Sequence, residues 1–335
     1  MINNCYIIAE MSANHAMNKS KAIEIIHAAK ESGANCIKTQ TYTPDTLTIN
    51  CKNDYFQIKS GTWNKENLYD LYKKAYTPWE WLKDLKEEAE KIGLDFLSTV
   101  YDNTSVDFME SLEVNMYKIA SFELIDIPLL KYVASKGKPI ILSTGMGTIK
   151  EIKEAIEAIE SQNNKQIYLL KCSSIYPAKY EDMNLNTIKD LEKFGYPVGF
   201  SDHSLDGLSS TTAVAMGARI IEKHFCLSRK IKTPDSSFSI EPAEFKKMVD
   251  DIRNIEKIKG EIKYSATENS IFRKSIFVVK DIKKGETYTN ENIQCIRPGY
   301  GIKPKHYESI IGLFANKDIA KGTPLNFDDI KPLPI

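Results

Sequence analysis

The sequence carries no surplus charge of either sign. Among 335 residues Lys and Arg number 45, and so do Asp and Glu, for a formal net charge of zero. That balance removes the general electrostatic argument for a nucleic-acid partner, while leaving room for a local basic pocket. No apolar run approaches the roughly 18–20 residues that a membrane span needs. Residues 1–11 lack the basic stretch and long apolar core of a signal peptide. The six cysteines (Cys5, Cys36, Cys51, Cys172, Cys226 and Cys295) form no CxxC pair and no disulfide framework. They read as reduced core thiols of a cytoplasmic protein. With 42% hydrophobic and 27% charged residues the chain is too apolar to be disordered. Its length suggests about two domains.

What is present is an alternation. β-rich runs over 6–10, 36–40, 96–99, 116–121, 140–144, 167–172, 198–201 and 220–224 are separated by helical patterns. The first helix carries Ala22, Ile25, Ile26 and Ala29 on one face and ends near Gly33. A second starts near Pro78 and ends at Gly93. Others cover 149–161, 184–194, 207–216 and 242–259. Strands separated by helices pair in parallel, because parallel neighbours need crossovers. Eight such units predict a closed (β/α)8 TIM barrel over 1–260. An open doubly wound sheet is the alternative, lowered by the absence of a glycine fingerprint after any strand. The excursion from Tyr42 to about Pro78 is too long for a plain connection and predicts a functional loop with short helices. Trp63, Trp79 and Trp81 flank it and read as packing residues.

The tail follows a different rule. Residues 261–274 read as a linker. Beyond them, 281–293 echoes 318–330 at a shift of 37 positions, with Gly285 and Gly322 in the matching turns. Two β-turn-β units predict a small β-rich domain over 275–335.

Polar residues concentrate where the strands end, the face at which barrels of this kind place their chemistry. In order they are Glu10, Lys38 and Gln40, Thr99, Lys118 with Ser121 and Glu123, Ser143, Lys171 and Ser174, Ser201 with His203, and Glu222 with His224. Charged groups at so many otherwise apolar strand ends are expensive unless paired or used. His203 and His224 end neighbouring strands and can hold one divalent ion with positions left open, as a Lewis acid for a carbonyl requires. His15 is placed near the same rim, and His27 and His306 at the surface. Lys38 and Lys118 permit two readings: a Schiff base, or a clamp on a phosphate or carboxylate. Ser121, Ser143 and Ser201 add hydroxyl donors for an oxyanion. The segment 143–147 opens the next helix, and helix N-termini favour anions. Glu10, Glu123 and Asp235 are the carboxylates available as acid, base or sugar ligand, and Glu222 reads as a buried structural partner. Arg297 sits on a turn in the tail.

These residues fall in runs that resemble one family, the sialic acid synthases, which are phosphoenolpyruvate-dependent nonulosonate synthases. The runs are Ile8-Ala-Glu10-Met-Ser-Ala-Asn14-His15, Ile37-Lys38-Thr-Gln40, Tyr117-Lys118-Ile-Ala-Ser121-Phe-Glu123, Ser143-Thr-Gly-Met146, Ser201-Asp-His203, Glu222-Lys-His224, Pro234-Asp235 and Arg297-Pro-Gly299. The resemblance spans the chain in order, and the tail looks like the family's antifreeze-like (SAF) domain. The text of the 41–81 loop is most similar to the pseudaminic acid branch. Ser174 stands where the N-acetylneuraminate branch commonly has Asn.

The resemblance implies a set of roles. His203 and His224 would bind Mn2+ or Mg2+, and Lys38, Lys118, Ser121, Ser143 and Ser201 would hold phosphoenolpyruvate. Glu10, Gln40, Tyr176 and Asp235 would hold an N-acetylated amino sugar or its water. Glu10 and Glu123 would be the catalytic carboxylates. It further implies a domain-swapped homodimer in which Arg297 reaches the partner's barrel. Three other readings stay open: an N-acetylneuraminate or legionaminic acid synthase with the same mechanism and a different sugar acceptor, a Schiff-base aldolase using Lys118, and a non-catalytic carbohydrate- or ice-binding protein built on the tail.

Overall fold

The computed structural model describes residues 4–264 and 268–331. The chain divides into two compact units, Met1–Gly260 and Glu261–Ile335. Within the stretch read as a linker, 265–267 lie outside the described residues and Glu268–Phe272 form a 3-10 turn. Among the described residues no helix is long and apolar enough to cross a membrane.

The first unit is built from β1 (Tyr6–Glu10), α1 (Lys19–Glu31), β2 (Cys36–Thr41), α2 (Pro44–Leu47), α3 (Leu68–Ala75), α4 (Trp79–Lys91), β3 (Asp95–Val100), α5 (Asn103–Ser111), β4 (Tyr117–Ile119), α6 (Ile127–Ala134), β5 (Ile140–Ser143), α7 (Ile149–Glu160), β6 (Ile167–Cys172), α8 (Thr187–Leu191), β7 (Val198–Asp202), α9 (Leu208–Ala215), β8 (Ile220–His224) and α10 (Pro242–Lys259). Strands β1 to β8 pair in order, and β8 closes on β1. Every pairing is parallel, so the barrel expected from the alternation is the architecture observed.

Strand alternation then sorts the side chains. One set, including Ile7, Ala9, Ile37, Phe96, Ile140 and Leu169, packs outward against the helices. The other set fills the lumen. Its lower part is apolar, with Ile8, Cys36, Leu97, Ile141, Leu170 and Ile220 in one cluster. Two residues further along the same strands come Glu10, Lys38, Thr99, Ser143, Cys172 and Glu222. The helices bury the faces their sequences present. In α1 these are Ala22, Ile25, Ile26 and Ala29, and the Asn18 side chain caps the helix by accepting from Lys21 N at 3.1 Å.

Three boundaries differ from expectation. β4 stops at Ile119, because Ser121 opens a 3-10 turn to Glu123. The helix expected over 184–194 is the short α8 followed by a 3-10 turn, and Gly195 ends it with φ +80°. The segment 143–147 does not itself start a helix. Thr148 caps α7 in a reciprocal box with Glu151.

The second unit contains β9 (Ser275–Val278), β10 (Ile293–Ile296), α11 (Tyr307–Ile310), β11 (Phe314–Ala315) and β12 (Ile330–Lys331). Its 37-residue echo is an internal two-fold. Ile293 pairs with Val278 as Ile330 pairs with Ala315. Ile282 and Ile319 exchange backbone hydrogen bonds of 2.9 and 2.8 Å. Asp318 Oδ1 accepts from Lys284 N at 2.8 Å, and Asp281 Oδ1 from Lys321 N at 2.7 Å. Gly285 (φ +86°) and Gly322 (φ +89°) make the two matching left-handed turns. Ile276, Val278, Ile282, Tyr288, Ile293 and Leu325 form the centre of this unit's own core.

Candidate active site

The upper lumen opens into a cavity of ≈420 Å³. Lys38, Gln40, Lys118, Ser121, Glu123, Ser143, Tyr176, Ser201, His203, His224 and Asp235 all line it. Six of the eight strands and the loops after them bring these residues together from positions up to about 200 apart. Arg297 belongs to the second unit, where it is exposed directly after β10.

One end of the cavity is built for an anion. Lys38 Nζ lies 2.5 Å from Glu10 Oε2 and donates to Thr99 Oγ1 at 2.9 Å. Lys118 Nζ donates to Ser143 Oγ at 2.8 Å and to the Ile119 carbonyl at 3.0 Å. Glu222 stands between the two ammonium groups, 3.8 Å from each, and accepts from Ser201 Oγ at 3.0 Å. Glu222 therefore lines the cavity and does more than the structural role expected of it. Burial opposes the charge on both lysines. At Lys38 the carboxylates of Glu10 and Glu222 outweigh it and raise the pKa, whereas at Lys118 burial prevails and the pKa falls. A ligand dianion at this end meets two ammonium groups and three serine hydroxyls held at fixed positions. Beside them Gly145 N donates to Ser121 Oγ at 3.1 Å. A Cβ at Gly145 would come within 2.2 Å of Ser174 Oγ and 2.7 Å of Ser121 Oγ, so only glycine leaves this cradle open.

Two expected roles change on this geometry. Glu10, read as a catalytic carboxylate, does not line the cavity. It is 1% exposed and is engaged by Lys38 and by Gln40 Nε2 at 3.1 Å. Burial, with Glu222 nearby, raises its pKa against the pull of Lys38. Gln40 continues the network to Ser12 Oγ at 2.9 Å, and Ser12 in turn donates to Asp235. His15 does not reach the rim. It is fully buried, its Nε2 3.2 Å from Thr77 Oγ1 and its Nδ1 accepting from Met17 N at 3.1 Å, edge-on to Trp81. It ties the β1 loop to the start of α4. Lys171 alternates away from the lumen and bonds the Cys172 carbonyl at 2.8 Å.

The other end of the cavity is aromatic. His203 and His224 rings lie 5.3 Å apart, and Tyr176 packs on His203 at 4.3 Å. Phe238 meets Tyr176 at 5.1 Å and His224 at 5.0 Å. Burial, then the charge of His203, holds the His224 pKa well below its ordinary value, so its imidazole is neutral. Its Nδ1 is buried without a hydrogen-bond partner. Two imidazoles on adjacent strands, one with a free nitrogen lone pair, fit a divalent ion that keeps positions for water and substrate. Among the described residues no group of three or more His, Cys, Asp or Glu side chains is placed to enclose a metal, so any such ion is an open one.

Behind the two histidines a second pair crosses the same strands on their outer face. Asp202 and Lys223 are in register, 2.9 Å apart and fully buried. Lys223 also reaches the Ser204 carbonyl at 2.6 Å, and Asp202 accepts from Ser204 N and Ser210 Oγ. The segment carrying His203 is thereby held on both sides.

Glu123 lies between the two ends. Burial raises its pKa to about 7, with Lys118 opposing, and its Oε2 has no partner. A carboxyl poised near neutrality and aimed into a cavity is suited to proton transfer.

Several lining residues escaped sequence reasoning. Trp63 does not pack in the core. It lies against Tyr176 at 5.6 Å and donates to the Pro234 carbonyl at 2.9 Å. Cys172, read as a core thiol, ends β6 in the lumen. Tyr42, Tyr72 and Tyr101 form an edge-to-face cluster in the cavity wall. A shallower depression of ≈880 Å³ adjoins the cavity across Trp63, Leu71 and Pro234.

Residues 25–264 match the NeuB family and residues 273–331 match the SAF domain. The chain is 45% identical over 331 residues, 97% of both chains, to a pseudaminic acid synthase of Helicobacter pylori. It is 36% identical, over 98% of this chain and 95% of the relative, to an N,N'-diacetyllegionaminic acid synthase of Legionella pneumophila. Among solved structures, an N-acetylneuraminic acid synthetase from Leptospira borgpetersenii in complex with citrate has a TM-score of 0.71 at 32% identity, covering 79% of this chain and 88% of that one.

Proposed function

The chain belongs to the NeuB family, and from that premise we propose that it is a pseudaminic acid synthase. It condenses phosphoenolpyruvate with 2,4-diacetamido-2,4,6-trideoxy-β-L-altropyranose, in its open-chain aldehyde form, and water. The products are pseudaminic acid and phosphate. The observation that carries this reading is one cavity with a two-lysine, three-serine anion floor at one end and two imidazoles, one of them with an unpartnered nitrogen, at the other. The 45% identity over nearly the whole chain to a synthase of that name supports the choice of sugar.

In this scheme Lys38, Lys118, Ser121, Ser143 and Ser201 bind the phosphate and carboxylate of phosphoenolpyruvate and present its C3 to the aldehyde carbon. The new bond joins those two carbons. Glu123, protonated below about pH 7, gives its proton to the aldehyde oxygen as that oxygen becomes an alcohol. Water then adds at C2 and returns a proton to the Glu123 carboxylate, and the C2–O bond breaks as phosphate leaves with its bridging oxygen. Glu10 acts as a positioning residue, holding Lys38 and Gln40. Gln40, Tyr176 and Asp235 orient the sugar. A divalent ion, Mn2+ or Mg2+, held by His203 and His224, would supply Lewis-acid polarisation of the aldehyde. The aromatic wall of Trp63, Tyr176 and Phe238 excludes stray water from the cationic C2.

The assembly is proposed to be a domain-swapped homodimer in the cytoplasm, with Arg297 entering the partner's barrel to contact the sugar. Supporting this are the exposure of Arg297 and a set of exposed apolar side chains in the segments after β4 to β7, among them Phe122, Ile125, Met146, Ile175 and Leu205. All six cysteines are free, as in a reducing compartment.

The test uses phosphoenolpyruvate labelled with 18O at the C2–O–P bridge, with Mn2+ and the diacetamido sugar. The label must appear in the released phosphate. Label retained in the nine-carbon product would refute the C–O cleavage.

A further inference from the structure

The cavity has a third lobe that the reaction scheme does not use, and its origin is a helix face. In α3 the apolar side chains Leu68, Leu71, Tyr72 and Ala75 recur at i, i+3, i+4 and i+7. In α4 the equivalent face, Leu82, Leu85 and Ala89, is absorbed into the barrel core. In α3 it is not. Leu71 is 8% exposed yet belongs to none of the hydrophobic cores, and all four residues line the cavity instead. Opposite them stand Tyr42 and Tyr101. Tyr42 packs edge-on against Tyr101 at 5.3 Å and against Tyr72 at 5.7 Å. Among the described residues no protein group bonds the hydroxyls of Tyr42, Tyr72 or Tyr101, and none of the three is sealed from the cavity. Burial raises all three phenol pKa values, so they remain O–H donors.

We propose that this lobe is an acylamido subsite: the phenols donate to amide carbonyls of the acceptor sugar, and the α3 face covers the acyl methyls and a deoxy carbon. This rests on the synthase reading and names the groups by which the site would choose its sugar. The chemistry follows from the wall. An amide offers one strong acceptor beside a methyl, which matches isolated phenols set among Leu and Ala side chains. A hydroxyl pressed on Leu71 or Ala75 loses water without gaining a partner. A charged group finds no cation here, because Lys38 and Lys118 are at the anion end. An apolar wall of this kind rejects an added hydroxyl by about 100-fold. Acceptors carrying two acylamido groups and a methyl are thus favoured over those with one acylamido group and a hydroxymethyl.

The experiment measures kcat and KM for the 2,4-diacetamido-2,4,6-trideoxy sugar and for N-acetylmannosamine, in the full-length protein and in Tyr72→Phe and Leu71→Asn. The unaltered protein should prefer the diacetamido sugar by about 100-fold or more. Tyr72→Phe should raise KM for that sugar by about tenfold, the effect of one hydrogen bond, with little change in kcat. Leu71→Asn should narrow the preference by a similar factor. KM for phosphoenolpyruvate should hold in both. A preference kept unchanged by both variants, or losses equal for the two sugars, would overturn the subsite. An unaltered protein that uses only N-acetylmannosamine would instead overturn the acceptor reading on which the subsite rests.

Discussion

Glu123 should cost the protein stability as the pH rises and the unfolded chain ionises. Its carboxyl is lifted from 4.5 to about 7, chiefly by burial. Below pH 4.5 both folded and unfolded chains hold the proton. As pH rises toward 7 the unfolded chain ionises freely while the folded one resists, so stability is lost, and above 7 the loss is complete. At about 1.36 kcal/mol per pKa unit, a shift from 4.5 to about 7 amounts to about 3 kcal/mol. Glu123→Gln removes the ionisation and keeps the shape. Relative to the parent it should therefore gain about 2.5 kcal/mol between pH 5 and pH 8. Urea unfolding followed by tryptophan fluorescence suits the measurement, because Trp63, Trp79 and Trp81 all lie in the barrel unit. The same variant should lose about 10²- to 10⁴-fold in kcat/KM. A stability difference that is equal at pH 5 and pH 8 would refute the argument that burial strains this carboxyl, whatever happens to activity.

Other outcomes follow from the same geometry. Lys38→Met leaves Glu10 and Glu222 buried without their shared cation, so the barrel should lose about 3–5 kcal/mol of stability and phosphoenolpyruvate binding should fail in calorimetry. His224→Ala breaks no hydrogen bond at Nδ1 but removes a ring packed on His203 and Phe238; the fold should lose about 2–3 kcal/mol, while Mn2+ binding, read by electron paramagnetic resonance, falls by about 100-fold or more. Asp202→Asn alone strands the Lys223 charge and should cost about 3–5 kcal/mol, whereas the double change with Lys223→Met should recover most of it, as thermal melts will show. Borohydride added with either substrate should leave activity intact, because Lys118 Nζ is already engaged by Ser143 Oγ, the Ile119 carbonyl and Glu222; irreversible loss with a reduced adduct on Lys118 would restore the aldolase reading.

Much of this site was legible because of alternation. Lys38, Lys118, Ser143, Ser201 and Glu222 are polar interruptions of apolar strands, and a period of two places them in one lumen once the barrel closes. The 37-residue echo was legible too, and it surfaces as the matched registers of Ile293 on Val278 and Ile330 on Ala315. What stayed hidden depends on tertiary placement. Leu68, Leu71, Tyr72 and Ala75 have the spacing of a core face, and periodicity cannot distinguish a face that meets a core from one that meets a cavity. Trp63 sits in a segment without any period, so nothing local marks it as cavity wall. Glu222 looked structural because its relation to two lysines on other strands exists only after closure. His15 looked functional beside Glu10, yet one step past the strand the chain turns and buries it against Thr77 and Trp81.

The central claim is that this barrel joins phosphoenolpyruvate to a diacetamido-trideoxy sugar. The most direct measurement is phosphate release from phosphoenolpyruvate with Mn2+, offering that sugar, the legionaminic precursor and N-acetylmannosamine in parallel, with the product masses read at the end point. Release should be rapid with the diacetamido-trideoxy-altrose, giving a product heavier by the mass of pyruvate, and absent in EDTA. Release only with one of the other two sugars would contradict the acceptor, and silence with all three would contradict the reaction.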